Sequence, residues 1–259
     1  MNRRRFLSAM GAFGLAGSAI GGWKYWPEQG WSNPCLASLP EAVARHPQMQ
    51  SVWSGLDPAQ VWDCHVHLIG GGDANNGTWF SPAMDSLWHP VLRLQKLFYM
   101  NAGCVHEAPG QLDQSYVARM LNLVDGMQPG FKAMLFAFDW FHDENGQPDR
   151  DRSIFHIPNA YAAQVARSHP DAFEWVASIH PYRADCVEAL QSAVRDGARG
   201  VKWLPSAMGI DPLSPRCDRF YAALAAADMP IVSHAGRELA VQGGNQDFGN
   251  PLRLRRAMD

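Results

Sequence analysis

WDCHVHL, residues 62–68, is the stretch that decides how the rest of this chain reads. From Val61 onward apolar and polar positions alternate as in a β-strand, so the side chains of His65 and His67 point to the same side. Two imidazoles then face one spot. Neutral imidazole is the commonest nitrogen ligand for zinc and several other transition metals, which makes the pair a candidate metal site. Alone, one H-x-H among ten histidines is weak, and chance explains it as well.

Working outward from this strand, a rhythm appears. Further short apolar runs bounded by Gly, Pro or charged residues predict strands over 131–139, 173–180, 199–204 and 229–234, after a first strand over 61–68. Helical segments fall between them: 113–127 with Asp113 as its cap, 158–169 with Pro158 in its first turn, 184–196, and 215–227 opened by Pro215. A short helix is predicted over 40–53. Gly197 and Gly200 suit the turn into the fourth strand. Strand and helix in alternation argue for a parallel sheet with right-handed crossovers, either an open doubly wound sheet or a (β/α)₈ barrel of the TIM type. The exception is the stretch 69–112, with "GGGDANNG" and the apolar run "VLRLQKLFYM". It reads as a long loop carrying a helix, and loops of that length commonly form a lid or substrate wall.

Polar residues gather where the strands end. His65 and His67 close the first, Asp139 the second, His180 the third and His234 the fifth, while Lys202 lies inside the fourth. Parallel barrels and open sheets build their sites at the carboxyl edge, so this shared placement strengthens the metal reading and adds His234 as a third ligand. Lys202 places a charge in an apolar strand, which costs several kcal/mol unless it is offset. A carboxylate can neutralise it, or carbamylation can convert it to an oxygen ligand. His180 is either a substrate contact or a histidine bonded in the turn before Pro181. Arg237 can hold a substrate carboxylate or stand in a salt bridge. Asp139 can equally cap a turn.

Composition narrows the classes. The 259 residues are 47% hydrophobic and 18% charged, ordinary for a globular chain with a substantial core. A net charge of −3 and the lack of a basic cluster beyond the first residues argue against nucleic-acid binding. The five cysteines are scattered and form neither a disulfide scaffold nor a cysteine zinc cage.

With these motifs in view, the chain resembles the amidohydrolase superfamily, in the branch of amidohydrolase-2-like metal-dependent hydrolases that also contains decarboxylases. The resemblance rests on "DCHVHL", "VASIHPYRAD", "GARGVKWLPS", "IVSHAGRE" and "GNPLRLRRAMD", and spans roughly 60–259. It implies a (β/α)₈ barrel and a divalent metal, zinc first, held by His65, His67 and His234. Lys202 stands where some members carry a carbamylated lysine bridging two metals; without that modification one ion is expected. The implied chemistry is attack of metal-activated water on an amide, ester or lactone of a small molecule. The alternatives are non-oxidative decarboxylation of a small aromatic acid, whose carboxylate Arg237 could hold, and a non-catalytic relic. Only five of eight β/α units are counted here, and "GNPLRLRRAMD" reads as the start of the fifth helix. The family's sixth-strand histidine and eighth-strand aspartate find no match, so no catalytic base is assigned. An open five-stranded sheet predicts pairing with another chain or aggregation.

The N-terminus predicts export. Arg3, Arg4 and Arg5 precede Phe6-Leu7 and a Gly/Ala-rich run from Ala9 to Gly22, and "NRRRFL" resembles a twin-arginine signal. Asn2 and Ser8 depart from the usual flanks, and a basic surface helix stays open as the alternative. The expected organisation is a signal or membrane anchor over 1–23, a linker over 24–59 and the partial barrel over 60–259, placing the protein in the periplasm or on the inner membrane.

Overall fold

Five short parallel strands, each paired with or bridged to the next in chain order, form the centre of the larger unit in a computed structural model that describes residues 33–105, 110–238, 240–241 and 243–258. The chain divides into two units, Met1–Leu36 and Ala37–Asp259; the fold and the site both belong to the second. The export signal expected over 1–23 lies outside the described residues.

In chain order the strands are β1 (Trp62–His67), β2 (Trp79–Phe80), β3 (Lys132–Phe136), β4 (Phe155–His156), β5 (Phe173–Val176), β6 (Val201–Trp203) and β7 (Ile231–Ser233). β1, β3 and β5 pair in parallel, as do β6 and β7. A parallel bridge between Ala177 and Val201 joins the two sets, with Ala177 N–H donating to Gly200 O at 2.9 Å and Lys202 N–H to Ala177 O at 2.7 Å. The five parallel strands lie within those predicted, and the architecture is α/β of the TIM-barrel type, with helical crossovers joining the five strands and no α-helix after β7 among the described residues. β2 and β4 form a two-stranded antiparallel ribbon that the pattern of apolar residues did not announce, because two residues per strand are too few to show a period.

The crossovers also match, with instructive differences. Helices cover Leu112–Asp125, Asn159–Ser168, Cys186–Arg195 and Asp218–Ala226, the last entered through a 3₁₀ turn at Pro215–Cys217. The helix expected over 40–53 is two short ones, Glu41–Ala44 and Pro47–Ser51, since Pro47 cannot continue the first. Asp113 does not cap its helix. Its carboxylate lies inside the first turn and accepts from Gly71 N–H (2.6 Å), Asn76 Nδ2 (2.6 Å) and Thr78 Oγ1 (3.0 Å), while Asp73 takes the free amides of Leu112 (2.6 Å) and Asp113 (3.2 Å). "GGGDANNG" is therefore a loop stitched to a helix end. The inserted helix of the 69–112 stretch is Pro90–Ala102. The residues expected to start a fifth helix, 249–259, form instead a 3₁₀ turn at Pro251–Ala257, preceded by another at Gln246–Gly249. No helix among the described residues is long and apolar enough to cross a membrane.

The strands have two distinct faces. Outward, Ala133, Leu135, Phe173, Trp175, Val201 and Trp203 pack against helix residues such as Leu190, Phe220 and Leu224 in the main core. Each large side chain buried this way contributes about 1.5–3 kcal/mol. Inward, Met134, Phe136 and Val176 form a smaller cluster with Trp62 and Val232. Strict alternation from Trp62 would turn Cys64 and Val66 inward and the histidines outward. A bulge prevents this. The β1–β3 register runs Asp63 to Ala133 and then Val66 to Leu135, so two residues of β1 oppose one of β3 and the parity of the strand reverses. Asp63 makes the bulge locally, its Oδ1 accepting the His65 N–H at 3.0 Å. Val66 consequently packs against the outer core, and the rings of His65 and His67 lie 5.2 and 5.7 Å from that of Phe136 inside.

Candidate metal centre

The bulge brings His65 Nε2 and His67 Nε2 to 3.2 Å. Neither imidazole favours its charged form here. Burial, then the Lys202 ammonium, lower His65 against an opposing pull from Asp63. Burial, then His65 and Lys202, bring His67 down to about 4. At neutral pH both imidazoles are thus uncharged and do not repel a cation; in the metal-free site one Nε2 donates to the other, and each offers a lone pair only with its hydrogen on Nδ1.

Lys202 enters from β6 on the same inner face. It is only 1% exposed, and its Nζ sits over the Phe136 ring, 5.1 Å from the centroid. No hydrogen bond or ion pair of this ammonium occurs among the described residues. Burial pulls its pKa down, and the carboxylate that opposes this pull is Glu238. His234 follows β7, its N–H donating to Trp203 O at 2.9 Å. Its Nδ1 lies 3.5 Å from Glu238 Oε2, and its buried Nε2 has no hydrogen-bond partner among the described residues.

Glu238 is the residue that sequence reading passed over. The neighbouring Arg237 drew attention as a cation next to a histidine, yet the signal for Glu238 was present in "HAGRE", where it stands four residues after His234. Arg237 is exposed and makes no hydrogen bond or ion pair among the described residues, so its guanidinium is uncommitted. His180 is a different case. It is fully buried, with Nε2 against Met208 O at 3.0 Å and Nδ1 accepting from Tyr182 N–H at 3.2 Å. Both ring nitrogens are used, which leaves none for a substrate.

His180 belongs to a second polar cluster with His142, 4.5 Å away ring to ring, and Asp139. Burial alone would raise Asp139, but Arg183 at 2.9 Å, His142 and the His180 N–H together hold it below the usual carboxylate range. Its other oxygen accepts the Trp140 N–H at 2.9 Å, so Asp139 organises the turn after β3. Asp139, His142 and Arg183 line a cavity of about 420 Å³, and His142 also borders one of about 830 Å³; none of His65, His67, Lys202, His234 or Glu238 lines either.

Whether the donors suit a metal can be tested on their geometry. Two nitrogens bound to one tetrahedral zinc at about 2.0–2.1 Å each stand roughly 3.3 Å apart, close to the His65–His67 separation. The unsatisfied, buried Nε2 of His234 is a third donor of the right kind. Among the described residues, however, no group of three or more His, Cys, Asp or Glu side chains converges closely enough to hold an ion. The structure assembles the histidine pair and leaves His234 as a separate donor.

Residues 62–258 match the model of the amidohydrolase family, the greater part of the chain. The chain belongs to that family. Among solved structures, this amidohydrolase is similar to a TIM-barrel protein from Bordetella bronchiseptica, with 16% identity, a TM-score of 0.48, and coverage of 76% of this chain and 62% of the other. A probable 2-pyrone-4,6-dicarboxylic acid hydrolase from Acinetobacter baumannii, with citric acid bound, shares 14% identity at a TM-score of 0.36, covering 68% and 49%. A protein described as amidohydrolase II shares 21% at 0.34, covering 75% and 56%. The chain spans about half to three-fifths of the length of these structures. No curated protein matches the sequence.

Proposed function

We propose that this amidohydrolase is a metal-dependent hydrolase that cleaves an amide, ester or lactone bond of a small molecule. The observation that carries the reading is the bulge-driven convergence of His65 and His67, both neutral, on the same inner face as the Lys202 ammonium. His65, His67 and His234 would hold one divalent ion, zinc in the first instance. Such an ion supplies Lewis acidity, lowering the pKa of water and offsetting negative charge on a carbonyl oxygen. The chain's own residues do the rest. Lys202 provides a fixed positive charge deep in the site, where a low dielectric makes it effective toward an anionic substrate group. Phe136 forms an apolar floor against which both imidazoles pack.

The uncommitted Arg237 favours a second reading, non-oxidative decarboxylation of a small aromatic acid. Its guanidinium is suited to a substrate carboxylate. One experiment separates the two: purified protein is dialysed against a chelator, reloaded with zinc or manganese, and offered a panel of esters, lactones, amides and hydroxybenzoates. Hydrolysis lost on chelation and restored by metal supports the first reading. Carbon dioxide release from hydroxybenzoates alone supports the second, and turnover indifferent to chelation contradicts both.

A further inference from the structure

We infer that Glu238 is the positioning residue of His234: its carboxylate holds the proton on Nδ1 and so keeps the lone pair of Nε2 pointed into the site. The inference rests on the reading of His234 as a ligand, but its geometry stands apart from any metal. Glu238 is 8% exposed, a low value for a carboxylate. Oε1 accepts two backbone amides, from Ala240 at 2.6 Å and Val241 at 2.9 Å. The backbone of Glu238 is clamped in turn by Gln246, whose Oε1 accepts the Glu238 N–H at 2.8 Å and whose Nε2 donates to Glu238 O at 3.1 Å. Tyr99, from the inserted helix Pro90–Ala102, donates its hydroxyl proton to Ala240 O at 2.7 Å and steadies the same turn. With Oε1 and the backbone fixed, Oε2 is the free carboxylate oxygen and lies 3.5 Å from His234 Nδ1, an ion-pair distance that a shift of a few tenths of an ångström turns into a hydrogen bond.

The direction of the proton follows from the inventory of donors and acceptors. An ionised carboxylate only accepts, so a neutral imidazole facing it carries its hydrogen on Nδ1, and its Nε2 is then an acceptor. That Nε2 is buried and has no hydrogen-bond partner among the described residues, so a lone pair there is open to an incoming ion or proton. A carboxylate behind a ligating histidine both fixes the tautomer and raises the basicity of the ligating nitrogen. The same negative charge is the one that opposes the loss of the Lys202 proton, so Glu238 serves two of the inner residues.

Glu238→Gln gives a sharp test, because the amide keeps the oxygen that accepts from Ala240 and Val241 but offers N–H groups to His234. The imidazole should then invert, with Nδ1 accepting and the hydrogen on Nε2. Long-range proton–nitrogen correlation spectra of the metal-free, ¹⁵N-histidine-labelled full chain report which nitrogen is protonated, with His234→Ala assigning the signals. The wild type should show Nδ1–H. The variant should show Nε2–H, and its zinc dissociation constant should rise about 10- to 100-fold. Nε2–H in the wild type, or an unchanged tautomer in a folded variant, would overturn the inference; the wild-type spectrum decides it even if the variant does not fold. The predicted tautomers in a chain that binds no zinc would uphold Glu238 and remove the metal reading instead.

Discussion

Replacing His180 by Asn should flatten the acid sensitivity of the fold, and the size of the effect can be worked out. In the native state burial and the neighbouring His142 bring His180 down to about 3, from an ordinary value of 6.5. Between those values the unfolded chain binds a proton that the folded chain does not, so stability rises with pH across this range. The contribution is fully present above 6.5 and is lost as pH falls through 6.5 toward 3. Going down to about pH 4.5 crosses about two units, each worth about 1.36 kcal/mol, so His180 alone should cost about 2.7 kcal/mol. His67 and His156, both near 4, add to the total, and the comparison with His180→Asn removes their share. The assay is urea unfolding followed by tryptophan fluorescence at about pH 7.5 and about pH 4.5. The substitution forfeits hydrogen bonds to Met208 and Tyr182 at both values, so that loss cancels in the difference. Wild type should lose about 2.7 kcal/mol more than the variant. Equal losses would refute the assignment of His180 as an internal, neutral, bonded histidine.

Other perturbations reach other parts of the account. Asp63→Ala removes the acceptor that folds the β1 bulge, and should weaken zinc binding about tenfold in a competition titration while circular dichroism stays unchanged. Lys202→Met removes a buried charge at nearly constant volume; thermal unfolding should be unaltered or higher, while turnover falls at least about tenfold. Native mass spectrometry of the loaded wild type should show one metal and no carbon dioxide adduct on Lys202, whereas two metals and an acid-labile adduct would establish the bridging form. Replacing Arg3 and Arg4 by Lys should retain the protein in the cytoplasm on fractionation, and unchanged periplasmic or membrane recovery would count against twin-arginine export.

The positions of the five parallel strands were legible because each is an apolar run closed by a turn residue, a signal that needs no tertiary information; their order was not, since the same alternation suits an open doubly wound sheet or a barrel. The inward placement of His65 and His67 was also anticipated, though by the wrong route. Simple alternation gives the pair a common side, but it is the two-against-one register at Cys64 and His65 that selects which side, and a bulge depends on the partner strand. Asp113 and His180 show the same limit. A carboxylate at a helix start reads as a cap until a loop 40 residues earlier supplies Asp73 in its place, and a histidine at a strand end reads as a site until Met208 occupies its nitrogen. Glu238 was missed because its role comes from the turn that Ala240, Val241 and Gln246 build around it, and no single one of those residues carries a motif.

The central claim, that β1 was bent to make a metal site, is most directly tested by a zinc titration of the metal-free chain beside its His65→Ala/His67→Ala double variant, followed by calorimetry and elemental analysis. The account predicts one zinc per wild-type chain and none retained by the folded double variant. Equal zinc in both, or no zinc in a folded wild type, would contradict it.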